Sequence, residues 1–371
     1  MGIREQESAL FNTREAQRVG QSLGISGRTR CRSVQVTAFD RWLAQQLLHV
    51  AGNPPFTLVL WDNSEVTLSS ARITARLHIA DRRALLRLVT DPELHFGDLY
   101  GARRLEVEGD FVQFLSTAYR AVGRARPGFP VHRLLHWLST RPRTNSLDNS
   151  RDNIHHHYDL GNRFYALWLD EAAMQYTCAY FPDPAMSLEA AQVAKLHHVC
   201  RKLRLQPGEE VVEAGCGWGG LARFMARHYG VRVRAYNISG EQIAHARERA
   251  AQEGLSERVQ YIEDDYRNIS GSCDVFVSVG MLEHVGIDNY RALGEVIRRC
   301  LSPDGRGLIH TIGRRQPGKM NAWIERRIFP GACPPSLAQM MEIFEPFGFA
   351  VQDVENLRLH YARTLEHWLE R

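Results

Sequence analysis

The chain has 371 residues, 44% hydrophobic and 24% charged, an ordinary globular balance with room for two or three domains of roughly 100–200 residues. Its net charge of +4 is too small to argue for nucleic acid, and fits either a solvated Arg-rich surface or a face that meets anionic phospholipid. The seven cysteines (Cys31, Cys178, Cys200, Cys216, Cys273, Cys300 and Cys333) are scattered without CxxC spacing, which fits a reduced, cytoplasmic chain and argues against a disulfide framework or a zinc site. Met1 to Gln21 is too polar for a signal peptide, and no apolar run approaches the roughly 18 residues of a membrane span.

Residues 1–34 are polar and Arg-rich and read as a partly disordered segment. From Val36 to about Val122 short strands and helices mix, which predicts an accessory α+β domain over 35–145. Phe56 to Trp61 reads as a strand closed by the turn residues Asp62-Asn63-Ser64. Ile73 to Ile79 alternates apolar and polar residues, as a half-buried strand does, and Phe111 to Val122 has helical spacing. Residues 123–152 are rich in Gly, Pro, Arg and Asn, and this composition shift marks the domain boundary.

The remaining stretch, 146–371, is predicted to be the catalytic domain. Ser187 to Leu205 is an amphipathic helix with Leu196, Val199, Cys200 and Leu203 on one face. Strands follow at Val211–Gly215, Val231–Ile238, Val259–Glu263, Val275–Val279 and Leu308–Ile312. Helices alternate with them: Leu221–Tyr229, one opened by a Ser239-x-x-Gln242 capping box, and most of Glu283–Cys300. This alternation predicts an α/β fold with a parallel central sheet and helices on both faces.

The first of these strands runs into Gly215-Cys216-Gly217-Trp218-Gly219. Glycines after such a strand let backbone approach a ligand at the carboxyl edge of the sheet. The pattern is E-x-G-x-G, unlike the dinucleotide fingerprint or the phosphate loop of nucleotide triphosphatases. It suits S-adenosylmethionine, with Glu213 near the ammonium of the methionine moiety and Gly215 and Gly217 along the methionine and ribose; a purely structural glycine turn is the other reading. Asn237 ends the second strand where a ribose contact is expected, and its amide can serve hydroxyls together with Gln242. Asp265 and Tyr266, after the third strand, are placed to meet adenine.

The stretch His157-Tyr-Asp-Leu-Gly-Asn-Arg-Phe-Tyr165, continuing through Trp168-Leu-Asp170 to Tyr176-Thr-Cys-Ala-Tyr-Phe181, resembles the signature of the cyclopropane fatty acid synthase family, which includes the mycolic acid cyclopropane synthases. Gly215–Gly220, Ser278–Gly286, His310–Gly313 and Ile328–Gly331 are similar to later family blocks in the same order, so the resemblance covers roughly 150–371; residues 35–122 resemble the amino-terminal domain of longer members more weakly. The resemblance implies a Rossmann-like class I methyltransferase that adds a methylene from S-adenosylmethionine across a cis double bond of a lipid acyl chain. It carries over Tyr176, Thr177, Cys216, Trp218, Gly219, Ile238 and Ser239 as further cofactor contacts. It also implies a bound bicarbonate as base, held by Cys178 and Ile312 through backbone groups and by Glu283, His310 and Tyr361 through side chains. Tyr176, Tyr180, Phe181 and Tyr266 are plausible aromatic lining for a cationic transition state.

Unsaturated phospholipid at the membrane surface is the expected partner, met by a peripherally associated cytoplasmic enzyme, with no nucleic acid involved. The amino-terminal domain carries no catalytic motif, and either membrane binding or homodimer formation is assigned to it. Branched-lipid methylation, small-molecule methylation and non-catalytic lipid or cofactor binding are the alternatives. The run His155-His-His157 is read as no metal site, because consecutive residues seldom face one ion. Arg314, Arg315 and Lys319 read as a solvated loop or a contact to lipid phosphate. The chain stops soon after Tyr361 and Trp368, where family members continue, so the expectation is a sheet without its last antiparallel strand pair and a less stable fold than in a longer relative.

Overall fold

A computed structural model describes residues 35–122 and 161–371. The polar segment 1–34, the boundary stretch 123–152, the run His155–His157 and the start of the signature at His157 lie outside the described residues. The chain divides into two units at Ser139/Thr140.

In the amino-terminal unit, β1 (Phe56–Val59), β2 (Glu65–Val66), β3 (Ala75–Ile79) and β4 (Leu105–Glu108) form a four-stranded sheet in the order β2-β1-β3-β4. The pair β1/β3 is parallel, and the two outer pairs are antiparallel. The alternation predicted for the third strand is observed: Ala75, Leu77 and Ile79 are buried and the residues between them are half-buried. Helix α1 (Ala38–Val50) opens on a capping box between Thr37 and Asp40. Asp40 is fully buried, yet it accepts from Arg82 Nε at 2.7 Å and Nη2 at 2.6 Å, a bidentate pair that ties α1 to the helix Arg82–Thr90.

These bonds outweigh the cost of burying the carboxyl and hold its pKa at about 2, led by the Arg82 hydrogen bond. Because the folded value lies below the unfolded one, the contribution is complete above about pH 4 and is lost as pH falls through about 2. Asp40→Asn is therefore expected to cost about 2 kcal/mol at pH 7, read by amide exchange in α1. The deficit should shrink below pH 4; one that is independent of pH would show that the pair does not carry this stability.

The second unit is built on a five-stranded, wholly parallel sheet of β5 (Glu210–Ala214), β6 (Arg232–Asn237), β7 (Val259–Glu263), β8 (Cys273–Val279) and β9 (Leu301–His310), in the order β7-β6-β5-β8-β9. The order reverses between β5 and β8, which opens the crevice where ligands of doubly wound sheets bind. One face packs against α6 (Leu188–Lys202) and α7 (Gly220–Tyr229), with Val211, Leu196, Met225 and Ala222 buried together. The other face packs against α10 (Tyr290–Cys300) through Phe276, Leu293 and Ile297.

Two predicted elements differ. The strand expected at Leu308–Ile312 begins at Leu301 and ends at His310. The stretch Ser302-Pro-Asp-Gly305 is absorbed where the pairing shifts between Cys273 and Val275; a bulged edge strand tolerates Pro and Gly. The helix expected over Glu283–Cys300 is broken at Gly286 into α9 (Leu282–Val285), a short 3-10 turn and α10.

Candidate functional site

The cofactor loop leaves the carboxyl end of β5, next to the strand-order reversal. Glu213 is buried, and its Oε2 has no hydrogen-bond partner. Burial pushes its carboxyl up to about 8, partly offset by the positive charges of Lys195 and Arg223. An orphaned carboxylate oxygen at this depth calls for a donor from a ligand, and the ammonium of a methionine moiety fits. Gly215 and Gly217 follow with left-handed backbone, and Asn237 Nδ2 closes the base of the loop on Gly217 O at 3.3 Å and Gln242 Oε1 at 2.7 Å.

The predicted capping box is half present. Ser239 Oγ accepts from Gln242 N–H, while the Gln242 side chain turns to Asn237 instead of to the cap backbone. Asn237 Oδ1 accepts from Ile238 N–H at 2.9 Å, so both ends of this amide are engaged. Asp265 pairs with Arg267 at 2.9 Å and caps the short helix Tyr266–Asn268, while the hydroxyl of buried Tyr266 has no partner.

The glycine loop also has an inward side. Cys216 joins the hydrophobic core, where burial holds its thiol well above the ordinary value. Trp218 donates from Nε1 to Asn162 Oδ1 at 2.8 Å, and its carbonyl accepts from Arg223. Gly219 is closed over by Tyr261, whose hydroxyl donates to Gly219 O at 2.8 Å. Of the predicted contacts in this loop, these three are held by protein neighbours, whereas Glu213 presents a free group.

The predicted anion-holding residues gather at the ends of β8 and β9. Glu283, in α9, is buried, and its Oε1 accepts from the Ile312 N–H at 2.6 Å. Its Oε2 is buried without a partner. Burial raises the Glu283 pKa, and the Ile312 amide first, with the Thr311 hydroxyl as the weakest contributor, pulls it back. His310 ends β9, and Gly280 N–H bonds its carbonyl at 2.9 Å. Desolvation, and then the charge of Lys195, lower its imidazole to about 4, so at neutral pH the ring is uncharged. The Tyr361 hydroxyl is held far above its ordinary value by burial and lies in the fields of Tyr176, Glu283 and Cys178. Burial raises the Cys178 thiol to about 11, which removes it as a thiolate nucleophile at neutral pH. The Ile312 side chain is 41% exposed; only its backbone serves the cluster.

The segment carrying Tyr176 to Phe181 is clasped by α12 (Arg358–Glu370). Ala179 N–H donates to Thr364 Oγ1, and Phe181 N–H to His360 Nδ1, each at 3.0 Å. Cys178 Sγ lies 3.8 Å from Leu357 O. Tyr176 sits among Tyr165, Trp168, Phe329 and Trp368. Tyr180 stacks on His198 with ring centres 4.1 Å apart, and Phe181 on His367 at 5.5 Å, so these two rings serve the clasp.

Sequence reasoning missed the supports beneath this segment. Asp170 accepts from Ala173 N–H and Gln175 N–H. Gln192 Nε2 donates to Thr177 O at 2.9 Å and Gln175 O at 3.3 Å. Lys195 Nζ donates to Gln175 Oε1 and to Thr177 Oγ1. Gln192 and Lys195 lie on the buried side of α6 with Ala191 and Val199. Polar residues four apart from apolar ones on a core face were the signal that could have found them.

Residues 145–371 match the mycolic acid cyclopropane synthetase family, and residues 43–125 match a domain of unknown function. A probable fatty acid methyltransferase of Pseudomonas putida is 36% identical over 340 residues, which cover 88% of this chain and 82% of that protein. The cyclopropane-fatty-acyl-phospholipid synthase of Escherichia coli (strain K12) is 46% identical over 216 residues, 58% of this chain and 55% of that one. Among solved structures, mycolic acid cyclopropane synthase CmaA1 complexed with SAH and CTAB aligns with a TM-score of 0.55 at 32% identity, over 59% of this chain and 82% of that chain.

Proposed function

The chain belongs to the mycolic acid cyclopropane synthetase family of S-adenosylmethionine-dependent methyltransferases, and on that premise we propose that it adds a methylene to the cis double bond of unsaturated phospholipid acyl chains, with bound bicarbonate as base. S-adenosylmethionine supplies the one-carbon unit, and bicarbonate supplies the base. The observation that carries the reading is Glu283: one carboxylate oxygen is pinned by the Ile312 amide and the other is buried without a partner.

Each residue then has a task. Glu283 Oε2 accepts from the hydroxyl of the anion and orients it. Tyr361 stays protonated and donates, and neutral His310 offers a ring N–H. Glu213 receives the ammonium at the far end of the cofactor. The apolar surroundings exclude water, and the Tyr176 ring gives a π face to positive charge developing on the acyl chain. Among the described residues no helix is long and apolar enough to cross a membrane, so a peripheral approach to the lipid surface belongs to the same proposal, as does the assignment of membrane binding or homodimer formation to the amino-terminal unit.

The test uses vesicles of cis-unsaturated phospholipid, methyl-labelled S-adenosylmethionine and bicarbonate. Labelled lipid with a cyclopropane mass that resists mild hydrogenation is expected. Absence of labelled lipid, with cofactor binding measured in the same preparation, overturns the reading. Label in a product that takes up hydrogen, or in a saturated methyl branch, favours the second reading, a branched-chain lipid methyltransferase; the Pseudomonas putida relative named as a fatty acid methyltransferase covers most of the chain and supports it.

A further inference from the structure

Lys195 is buried at 1% exposure in the middle of α6. Its ammonium makes two hydrogen bonds, to the neutral oxygens Gln175 Oε1 and Thr177 Oγ1. An ammonium carries three donors, so one N–H is left over, and among the described residues no carboxylate pairs with it. The nearby carboxylates are otherwise committed. Both oxygens of Asp170 accept from backbone amides, and in the reading above the Glu213 carboxylate is given to the ammonium of the cofactor. Burying a cation is costly; the two hydrogen bonds to neutral oxygens do not neutralise it, and the buried Asp170 carboxylate, foremost of the charges that help to keep the ammonium protonated, offsets that cost without a direct ion pair.

The position of this cation suggests its use. Thr177, which bears one of its bonds, precedes Cys178, a holder of the proposed anion, and the Lys195 charge reaches both Cys178 and His310. The protein groups proposed to hold the anion bring no positive charge of their own, since His310 is neutral at pH 7, Tyr361 is protonated and Glu283 is acidic; of the charges that reach His310, that of Lys195 is the foremost, ahead of Glu355 and His198. Bicarbonate would add a buried negative charge beside holders that already lie in the field of Lys195. Desolvation lowers the ammonium pKa to about 8, which leaves it mostly charged at pH 7.

We propose that Lys195 is a positioning residue whose buried ammonium supplies the counter-charge that lets this site hold its bicarbonate. The inference rests on the bicarbonate reading above and adds to it a residue outside the holding set. The effect is electrostatic: at an effective dielectric of about 20, a unit charge even about 10 Å from an anion changes its affinity by about tenfold.

Two substitutions separate charge from architecture. Lys195→Gln keeps polar groups for Gln175 and Thr177 and removes the charge; Lys195→Met removes both. The readouts are the half-saturating bicarbonate concentration in turnover, the rise of the thermal midpoint on bicarbonate titration, which needs no turnover, and the cofactor Kd by calorimetry. In Lys195→Gln, half-saturation is expected to rise about tenfold or more by both bicarbonate readouts, with the cofactor Kd within about threefold of wild type. Unchanged bicarbonate dependence in the Gln variant overturns the proposal, as does impairment confined to Lys195→Met, which would assign the lysine to hydrogen bonding alone. A tenfold loss of cofactor affinity with bicarbonate dependence unchanged gives the charge to the cofactor carboxylate and also overturns it. Indifference of the wild-type protein to bicarbonate would be seen before any variant is made; it removes the bicarbonate reading, and this inference falls with it. Should the Met variant fail to fold, the Gln variant alone decides.

Discussion

Glu283→Gln is expected to lower kcat by about 10²–10⁴, the range of a positioned acid–base group, while the cofactor Kd stays within about threefold. The geometry makes the substitution selective. An amide can still accept from the Ile312 N–H through its oxygen, so the 2.6 Å anchor survives. The nitrogen then occupies the place of the unpartnered Oε2, presenting donors where the proposed anion needs an acceptor. The fold should not suffer. Burial raises the Glu283 pKa, so ionising this carboxyl costs the folded state stability once pH exceeds the unfolded value, and an uncharged amide removes that cost. A thermal midpoint at or slightly above wild type, with turnover lost, is the expected pair of results. Turnover within tenfold of wild type would remove Glu283 from the role of orienting the anion, and a collapsed midpoint would assign it to structure.

The second large effect is structural and lies in the cofactor loop. Gly219→Ala should destabilise the protein by about 2–5 kcal/mol, from about 1–2 for a left-handed residue with a Cβ and about 1–3 for overpacking. Gly219 has φ of +74°, and a Cβ there would come within 2.5 Å of the Tyr261 ring. That ring cannot retreat freely, since its hydroxyl holds Gly219 O and its body belongs to the core. Gly254→Ala is the control. Gly254 has φ of +68°, with nothing within 4 Å of the position a Cβ would take, so only the conformational cost of about 1–2 kcal/mol applies. Denaturant unfolding of both variants gives the comparison. Equal losses would mean that Tyr261 moves aside and that close packing does not explain the glycine. Cofactor affinity should fall with Gly219→Ala alone, because the loop it distorts carries Gly215 and Gly217 and follows directly on Glu213 in β5.

The parallel sheet was legible because its signals are local. Buried parallel strands read as short apolar runs, and the helices between them repeat on a different period, so β5 and β7 fall within a residue of their predicted bounds. The glycines of 215–219 announced a close backbone approach for the same reason: left-handed backbone is a property of one residue. Where two signals competed, the local reading failed. The strand expected at Leu308–Ile312 starts at Leu301 and takes Ser302–Gly305 into the edge strand β9, and the Gln242 side chain leaves its predicted cap for Asn237, because pairing with a neighbouring segment outweighs a weak local preference.

The amino-acid sequence by itself determined the fold class, the family and the chemical character of the groups at the strand ends, since each depends on residue type and short-range order. Tertiary structure alone decided which groups are free to act. Glu213 and Glu283 each keep a buried oxygen without a partner, whereas Trp218, Gly219 and Asp265, equally plausible by position, are already held by Asn162, Tyr261 and Arg267. The clasp of α12 on Ala179 and Phe181, and the ammonium of Lys195 beneath Thr177, join residues up to 185 positions apart. A hydrogen bond or a charge acts through distance in space, and the burial that makes each of them strong exists only once the chain has closed around it.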